Sequence, residues 1–199
     1  MSKKRKALYG IAGLFLVLLG LVAWKLGPAL LPSESLNVGI AAGSKAPIDT
    51  ALLDSKGQPT SLAAAMGEKG MVLLMVRSAD WCPFCKAQLL RSEKMRGDIA
   101  GRGYALVSVS YDKPQKLAEF AANKAIGFAM LSDPESKLID ALGLRDPQYE
   151  AGSFAYGVPR PTVLVLAPDG TVKAKYVDAD YRSRQSNEQV LAMLAGVSG

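Results

Sequence analysis

Two kinds of apolar run organise this chain. From Ala7 to Trp24 the sequence is uncharged and apolar all round apart from Tyr9, between Lys3-Lys4-Arg5-Lys6 and Lys25. A soluble helix would carry a polar stripe across such a window. These 18 residues, at a rise of about 1.5 Å each, span about 27 Å, enough to cross a thin hydrocarbon core. Met71 to Val76 is the second kind, a short continuous run of the type found in strands buried on both faces. After it, Leu89, Leu90 and Met95 sit among Lys86, Gln88, Arg91 and Glu93, the pattern of an amphipathic helix from Pro83 to about Met95 with proline in its first turn. Tyr104 to Ser110 reads as the next strand, and Pro114 to Lys124 as a helix with Leu117, Phe120 and Ala121 on one side. A further helix is expected from Asp133-Pro134-Glu135 through Leu142, stopped by Gly143. Thr162 to Leu166 and Thr171 to Val177 are strands joined by Ala167-Pro168-Asp169-Gly170, a hairpin signal, and a last helix runs from about Asn187 to Leu194. Gln148 to Gly157 is a loop. Strand and helix alternate first, then a hairpin and a helix close the domain, which predicts an α/β sheet with parallel central strands and an antiparallel edge.

The apolar N-terminal run has two readings. A secretory signal peptide has the same basic start, but this run is longer than a usual apolar region and no clear Ala-x-Ala site follows it. An uncleaved anchor is therefore preferred. The expected organisation is a cytoplasmic basic segment at 1–6, a transmembrane signal-anchor helix at 7–26, a linker at 27–37 and one domain at 38–199. The basic cluster stays on the cytoplasmic side, so the domain faces the outside of a bacterial inner membrane, with the lipid bilayer as the partner of the helix. The net charge of +6 belongs mostly to this segment. From Asn37 onward 19 basic residues face 17 acidic ones, which gives no support for nucleic-acid binding.

The chemistry is concentrated in Trp81-Cys82-Pro83-Phe84-Cys85, which holds the only two cysteines of a chain without histidine. A structural zinc site wants four ligands, usually Cys or His. Covalent haem attachment needs a histidine directly after the second cysteine, where this chain has Lys86. A structural disulfide over two intervening residues would constrain the unfolded chain little. What remains is a redox-active dithiol between a buried strand and a helix N-terminus, where the helix dipole favours the thiolate. Sites in open α/β sheets lie at such strand ends. Cys82, at the cap, is expected to be the more exposed thiol, with Cys85 in the first turn. Trp81 is expected to shield the pair, while Lys86 and Asp80 read as solvated side chains. The couple needs no bound cofactor and no metal.

A second element, Gly157-Val158-Pro159-Arg160-Pro161-Thr162, lies just before the penultimate strand. Together the two elements resemble the thioredoxin superfamily, in which a cis-proline before this strand packs against the CxxC pair; Pro161-Thr162 is the matching position. Ala46-Pro47 with Leu53-Asp54 and Gly57, Val107 to Asp112, Leu131-Ser132-Asp133-Pro134 and Leu142-Gly143-Leu144 follow in the order seen in peroxiredoxin-type domains. With Arg77 to Cys85 they resemble the CxxC-bearing, peroxiredoxin-like branch of the alkyl hydroperoxide reductase/thiol-specific antioxidant group. The resemblance covers roughly Val38 to Ala195. It implies a thioredoxin-like fold, a mixed central sheet flanked by helices, here preceded by one transmembrane helix.

That group carries Thr or Ser three residues before its peroxidatic cysteine. In this chain the position is Cys82 if Cys85 is peroxidatic, and Ala79 if Cys82 is, so neither choice supplies a hydroxyl. The resemblance makes Arg160 the candidate activating arginine. The leading expectation is a membrane-anchored, extracytoplasmic thiol–disulfide oxidoreductase in which Cys82 attacks a protein disulfide and Cys85 resolves it. The alternative is a thiol peroxidase, in which a hydroperoxide oxidises Cys85 and Cys82 closes the disulfide. Either needs a reducing or oxidising partner. A third reading is an assembly factor that holds Cu(I) or thiol proteins on the two sulfurs.

Overall fold

The computed structural model describes residues 35–197. The basic segment 1–6, the helix expected over 7–26 and most of the linker lie outside the described residues. Among those described, no helix is long and apolar enough to cross a membrane.

The apolar run behind the cysteines forms the centre of a seven-stranded sheet. Its strands are β1 (Leu52–Leu53), β2 (Pro59–Thr60), β3 (Gly70–Met75), β4 (Tyr104–Ser110), β5 (Ala129–Ser132), β6 (Thr162–Leu166) and β7 (Val172–Val177), in the order β2-β1-β5-β4-β3-β6-β7. β3, β4 and β5 are parallel, and β6 and β7 add on antiparallel. All of β3 is buried, and alternate residues serve opposite faces. Val72, Leu74 and Val76 join the core under three helices, α1 (Pro83–Gly101), α2 (Pro114–Lys124) and α4 (Asn187–Ala195). Met71, Leu73 and Met75 join a second core with Leu52, Leu62 and the short α3 (Lys137–Ala141). Gly70 opens β3 with φ +128°, and a Cβ there would lie 2.0 Å from the Leu166 carbonyl oxygen, so no larger residue fits.

The expected mixed α/β sheet is observed, with three local differences. α1 continues to Gly101 because Ile99, one turn beyond Met95, is fully buried. α3 starts only at Lys137, because Asp133 accepts hydrogen bonds from the main-chain N–H groups of Lys137 (2.9 Å) and Ile139 (3.0 Å). Ser136 at its cap is left-handed, with φ 57°. The third difference concerns Pro161. No peptide bond among the described residues is cis, so the Arg160–Pro161 bond is trans. The bond has the isomer favoured in general, and on either side of it the Arg160 N–H donates to Leu144 O at 2.7 Å and the Asp178 N–H to Pro161 O at 2.9 Å.

Register decides what meets at the site. Met75 pairs with Thr162 and Thr162 with Val177. The end of β3, the start of β6 and the end of β7 therefore lie side by side, and the turns that leave β3 and β7 share one end of the sheet.

Candidate redox site

The loop between β3 and α1 is tied down from β4. Asp112, buried just past β4, accepts hydrogen bonds from Ser78 Oγ (2.7 Å), the Ala79 N–H (2.6 Å) and Ser110 Oγ (2.9 Å). Ser78 Oγ in turn accepts from the N–H groups of Asp80 (2.9 Å) and Trp81 (3.1 Å). Burial raises the Asp112 pKa, and the hydrogen bonds from Ser78, Ala79 and Ser110 oppose the rise. The chain is thus delivered to Cys82 in one conformation.

Cys82 is the N-cap of α1, Pro83 occupies the first turn, and the Cys85 N–H donates to Cys82 Sγ at 3.3 Å. Both cysteines are reduced and both are buried, at 2% and 0% exposure. Cys82 is the more exposed of the two, as expected, but only marginally; the larger difference between them is one of charge. A hydrogen bond from the Cys82 thiol lowers the Cys85 pKa to about 6, with help from the Arg184 guanidinium and the Ser78 main chain and against the cost of burial. The same hydrogen bond, with burial and the neighbouring charge, raises the Cys82 pKa. The pair is thus polarised: Cys85 is held toward the thiolate, with the Cys82 thiol as its hydrogen-bond donor.

The arginine beside the thiolate comes from the turn after β7. Arg184 Nη2 donates to Cys85 Sγ at 3.4 Å and Nε to Gln88 Oε1 at 2.9 Å, while Nη1 donates to the carbonyls of Tyr181 and Ser183. Every nitrogen of this guanidinium is engaged. The same turn begins with Asp178, 2% exposed, whose two carboxyl oxygens have no hydrogen-bond partner among the described residues.

A second buried arginine stands behind the loop. Arg77 is 1% exposed and packs against the rings of Trp81 (5.4 Å), Tyr149 (4.9 Å) and Tyr181 (4.4 Å). It also donates to Tyr149 Oη. Trp81 donates from Nε1 to Tyr111 Oη at 2.9 Å and meets Phe154 edge-on at 5.3 Å. The loop from Gln148 to Gly157 therefore supplies the aromatic wall of the site through Tyr149 and Phe154.

Of the residues singled out from sequence, Cys82, Cys85, Trp81 and Pro83 form the centre. Pro161 and Thr162 lie at the adjoining strand end, where Thr162 Oγ1 donates to Arg160 O at 3.0 Å. Arg160 does not supply the charge next to the sulfur; Arg184 does. Asp80 is ion-paired with Lys116 at 3.3 Å on the surface. Arg77 and Asp112 belong to stretches that were recognised, but no role was expected of them; Arg184 and Asp178 were not singled out at all, and nothing near them in sequence points to the cysteines.

The sequence model of the AhpC/TSA family matches residues 42–175. A putative peroxiredoxin of Mycobacterium tuberculosis is 33% identical over 137 residues, which are 69% of this chain and 85% of that protein. Peroxiredoxin Bcp of Escherichia coli is 26% identical over 155 residues, 78% of this chain and 96% of that one. Among solved structures, peroxidoxin BcpB from Mycobacterium tuberculosis superposes with a TM-score of 0.67 at 21% identity, covering 79% of this chain and 98% of that one. The chain belongs to the AhpC/TSA family and is a thiol oxidoreductase on a thioredoxin-like sheet.

Proposed function

We propose that this AhpC/TSA-family member is a thiol peroxidase in which Cys85 attacks a hydroperoxide and Cys82 resolves the product. The observation that carries this reading is the polarity of the pair. The thiolate is Cys85, in the first turn of α1, with Arg184 at 3.4 Å and the Cys82 thiol as hydrogen-bond donors. The relatives named peroxiredoxin favour it over the disulfide-exchange reading, which needed Cys82 to attack first.

Cys85 Sγ attacks the distal peroxide oxygen, the O–O bond breaks and the alkoxide leaves as the alcohol after taking a proton. Cys82 then attacks the sulfenic sulfur; the S–O bond breaks and water leaves with the Cys82 proton. Cys82 stands where family members carry Thr or Ser, so one thiol first donates the hydrogen bond and then resolves. The Cys82–Cys85 disulfide is reduced by an external thiol or dithiol partner. The basic cluster at 3–6 and the uncharged apolar segment from Ala7 to Trp24 support the further reading that the segment 7–26 anchors the domain to a bacterial inner membrane, with the domain on the outer side.

The test is single-turnover oxidation of the reduced protein by hydrogen peroxide. Cys82→Ser is expected to keep the first step and accumulate a sulfenic acid on Cys85 that is trapped by a dione. Cys85→Ser is expected to lose peroxide reduction. A Cys85→Ser protein that consumes peroxide at the original rate would overturn the assignment. So would a wild-type thiolate no faster than a small free thiol.

A further inference from the structure

The thiolate cycle creates a charge problem in a buried place. In the reduced protein the Arg184 guanidinium faces the Cys85 thiolate. Once Cys85 is bonded to Cys82 that negative charge is gone and Nη2 loses its anionic acceptor, leaving a part-buried cation without its counter-charge, which is costly. The chain has no histidine to adjust charge near neutrality. One unassigned group sits where it is needed. Asp178 is 2% exposed, neither carboxyl oxygen has a hydrogen-bond partner among the described residues, and it opens the turn that carries Arg184.

A buried carboxylate with no donor is expensive, and a buried neutral carboxyl is much less so. The charges that Asp178 senses are Arg184 and Asp180 on its own turn and Cys85 on α1. We propose that Asp178 is the redox-linked proton carrier of this site, neutral while Cys85 is a thiolate and ionised against Arg184 once Cys85 is bonded to Cys82. It is a positioning residue: it acts through Arg184, not on the substrate.

Written with the dithiol cycle on which it rests, thiolate, thiol, neutral carboxyl and hydroperoxide become disulfide, carboxylate, alcohol and water. Cys85 gives the electron pair that breaks the O–O bond. The leaving alkoxide gains, through solvent, the proton that Asp178 loses, and the Cys82 proton leaves in water. Arg184 keeps one negative partner in both states, so the buried charge is conserved through the cycle. Reduction returns one proton to Cys82 and one to Asp178. Burial raises the Asp178 pKa to about 7 in the reduced protein, with Arg184 opposing, so the exchange falls in the working pH range.

The experiment is the pH dependence of the Cys82–Cys85 midpoint potential of the full-length protein in thiol redox buffers. No peroxide is needed, so failure of the peroxidase reading and failure of this one are separable. Below about pH 7 the wild type is expected to take up more protons per two electrons than Asp178→Asn, by up to one. Above about pH 7 the two slopes converge. Redox-difference infrared spectroscopy of the wild type, with isotopically labelled aspartate, gives a readout that does not depend on the variant folding. A protonated-carboxyl C=O band should be present in the reduced protein and lost on oxidation. Equal proton uptake in both proteins, or a carboxyl band unchanged by oxidation, overturns the proposal.

Discussion

Two buried aspartates serve the elements that carry this dithiol and its arginine, and their surroundings are opposite. Asp112 arrives from β4 and is saturated: two hydroxyls and a main-chain N–H donate to it at 2.6–2.9 Å. Asp178 arrives from β7 with no donor on either oxygen among the described residues. Burial raises both pKa values, but only at Asp112 do hydrogen bonds to the charged form push back. A saturated buried carboxylate fixes geometry, and here it holds the loop that ends in Cys82. An unsaturated one stores a proton near neutrality and is free to change partner. The same side chain thus supports the site in one place and charges it in another.

The largest expected difference is in stability. Asp112→Ala strands three donors and is expected to cost about 3–5 kcal/mol in urea unfolding. Asp178→Leu removes an orphaned carboxyl and is expected to be neutral, or to stabilise by about 1 kcal/mol. The sign can be checked by pH. Because the folded pKa of Asp178 is raised to about 7 from an unfolded value of about 4, its contribution is fully present below the unfolded value and is lost as pH rises through the folded one. The advantage of Asp178→Leu should therefore grow from about pH 4 to about pH 7. An Asp178→Leu protein as damaged as Asp112→Ala would erase the contrast.

Arg184 is the next point of leverage, since it joins Asp178 to the thiolate. Arg184→Met removes a charged donor from the reacting sulfur and is expected to slow peroxide reduction about a hundredfold, the scale of losing one preorganised donor. The Cys85 pKa should rise with it, read from thiolate absorbance. Asp112→Asn, which keeps acceptor capacity on one atom, should move that pKa far less. In the unaltered protein the rate should climb about tenfold per pH unit below about 6 and level off above, following deprotonation of Cys85. A rate still climbing steeply at pH 8 would place the reacting charge elsewhere.

The contrast also explains what was legible in the sequence. The Asp112 side of the site follows directly from local pattern: the run behind Arg77, the cysteine pair, and the strand Tyr104 to Ser110, whose predicted limits match those observed. The helix from Pro114 to Lys124 and the strand from Thr162 to Leu166 match as well. The Asp178 side has no local signature. Arg184 and Asp178 come to Cys85 because β7 runs antiparallel to β6, so that Val177 ends level with Thr162 and Met75. That register is a tertiary fact. Arg160 was the plausible arginine by proximity in sequence to Pro161, but its main chain is held by Leu144. The shortened α3 has a similar origin, since Asp133 spends its carboxylate on N–H groups that a helix starting earlier would have used.

A third aspartate completes the comparison with the smallest effect. Asp80 lies in the same loop as Ser78 and one residue from Trp81, yet its carboxylate is at the surface, paired with Lys116 at 3.3 Å, with side-chain exposures of 45% and 47% for Asp80 and Lys116. An exposed pair is screened by water and salt and costs entropy to hold. Asp80→Asn should therefore change stability by no more than about 0.5 kcal/mol, and it should leave peroxide reduction within about twofold. The measurement is discriminating because Asp80 is the acidic residue nearest the cysteines in sequence. If Asp80→Asn cut the rate tenfold while Asp178→Asn left proton uptake untouched, the proton path would run through the solvated face of the loop, and burial without donors would lose its place as the property that makes a carboxyl useful here.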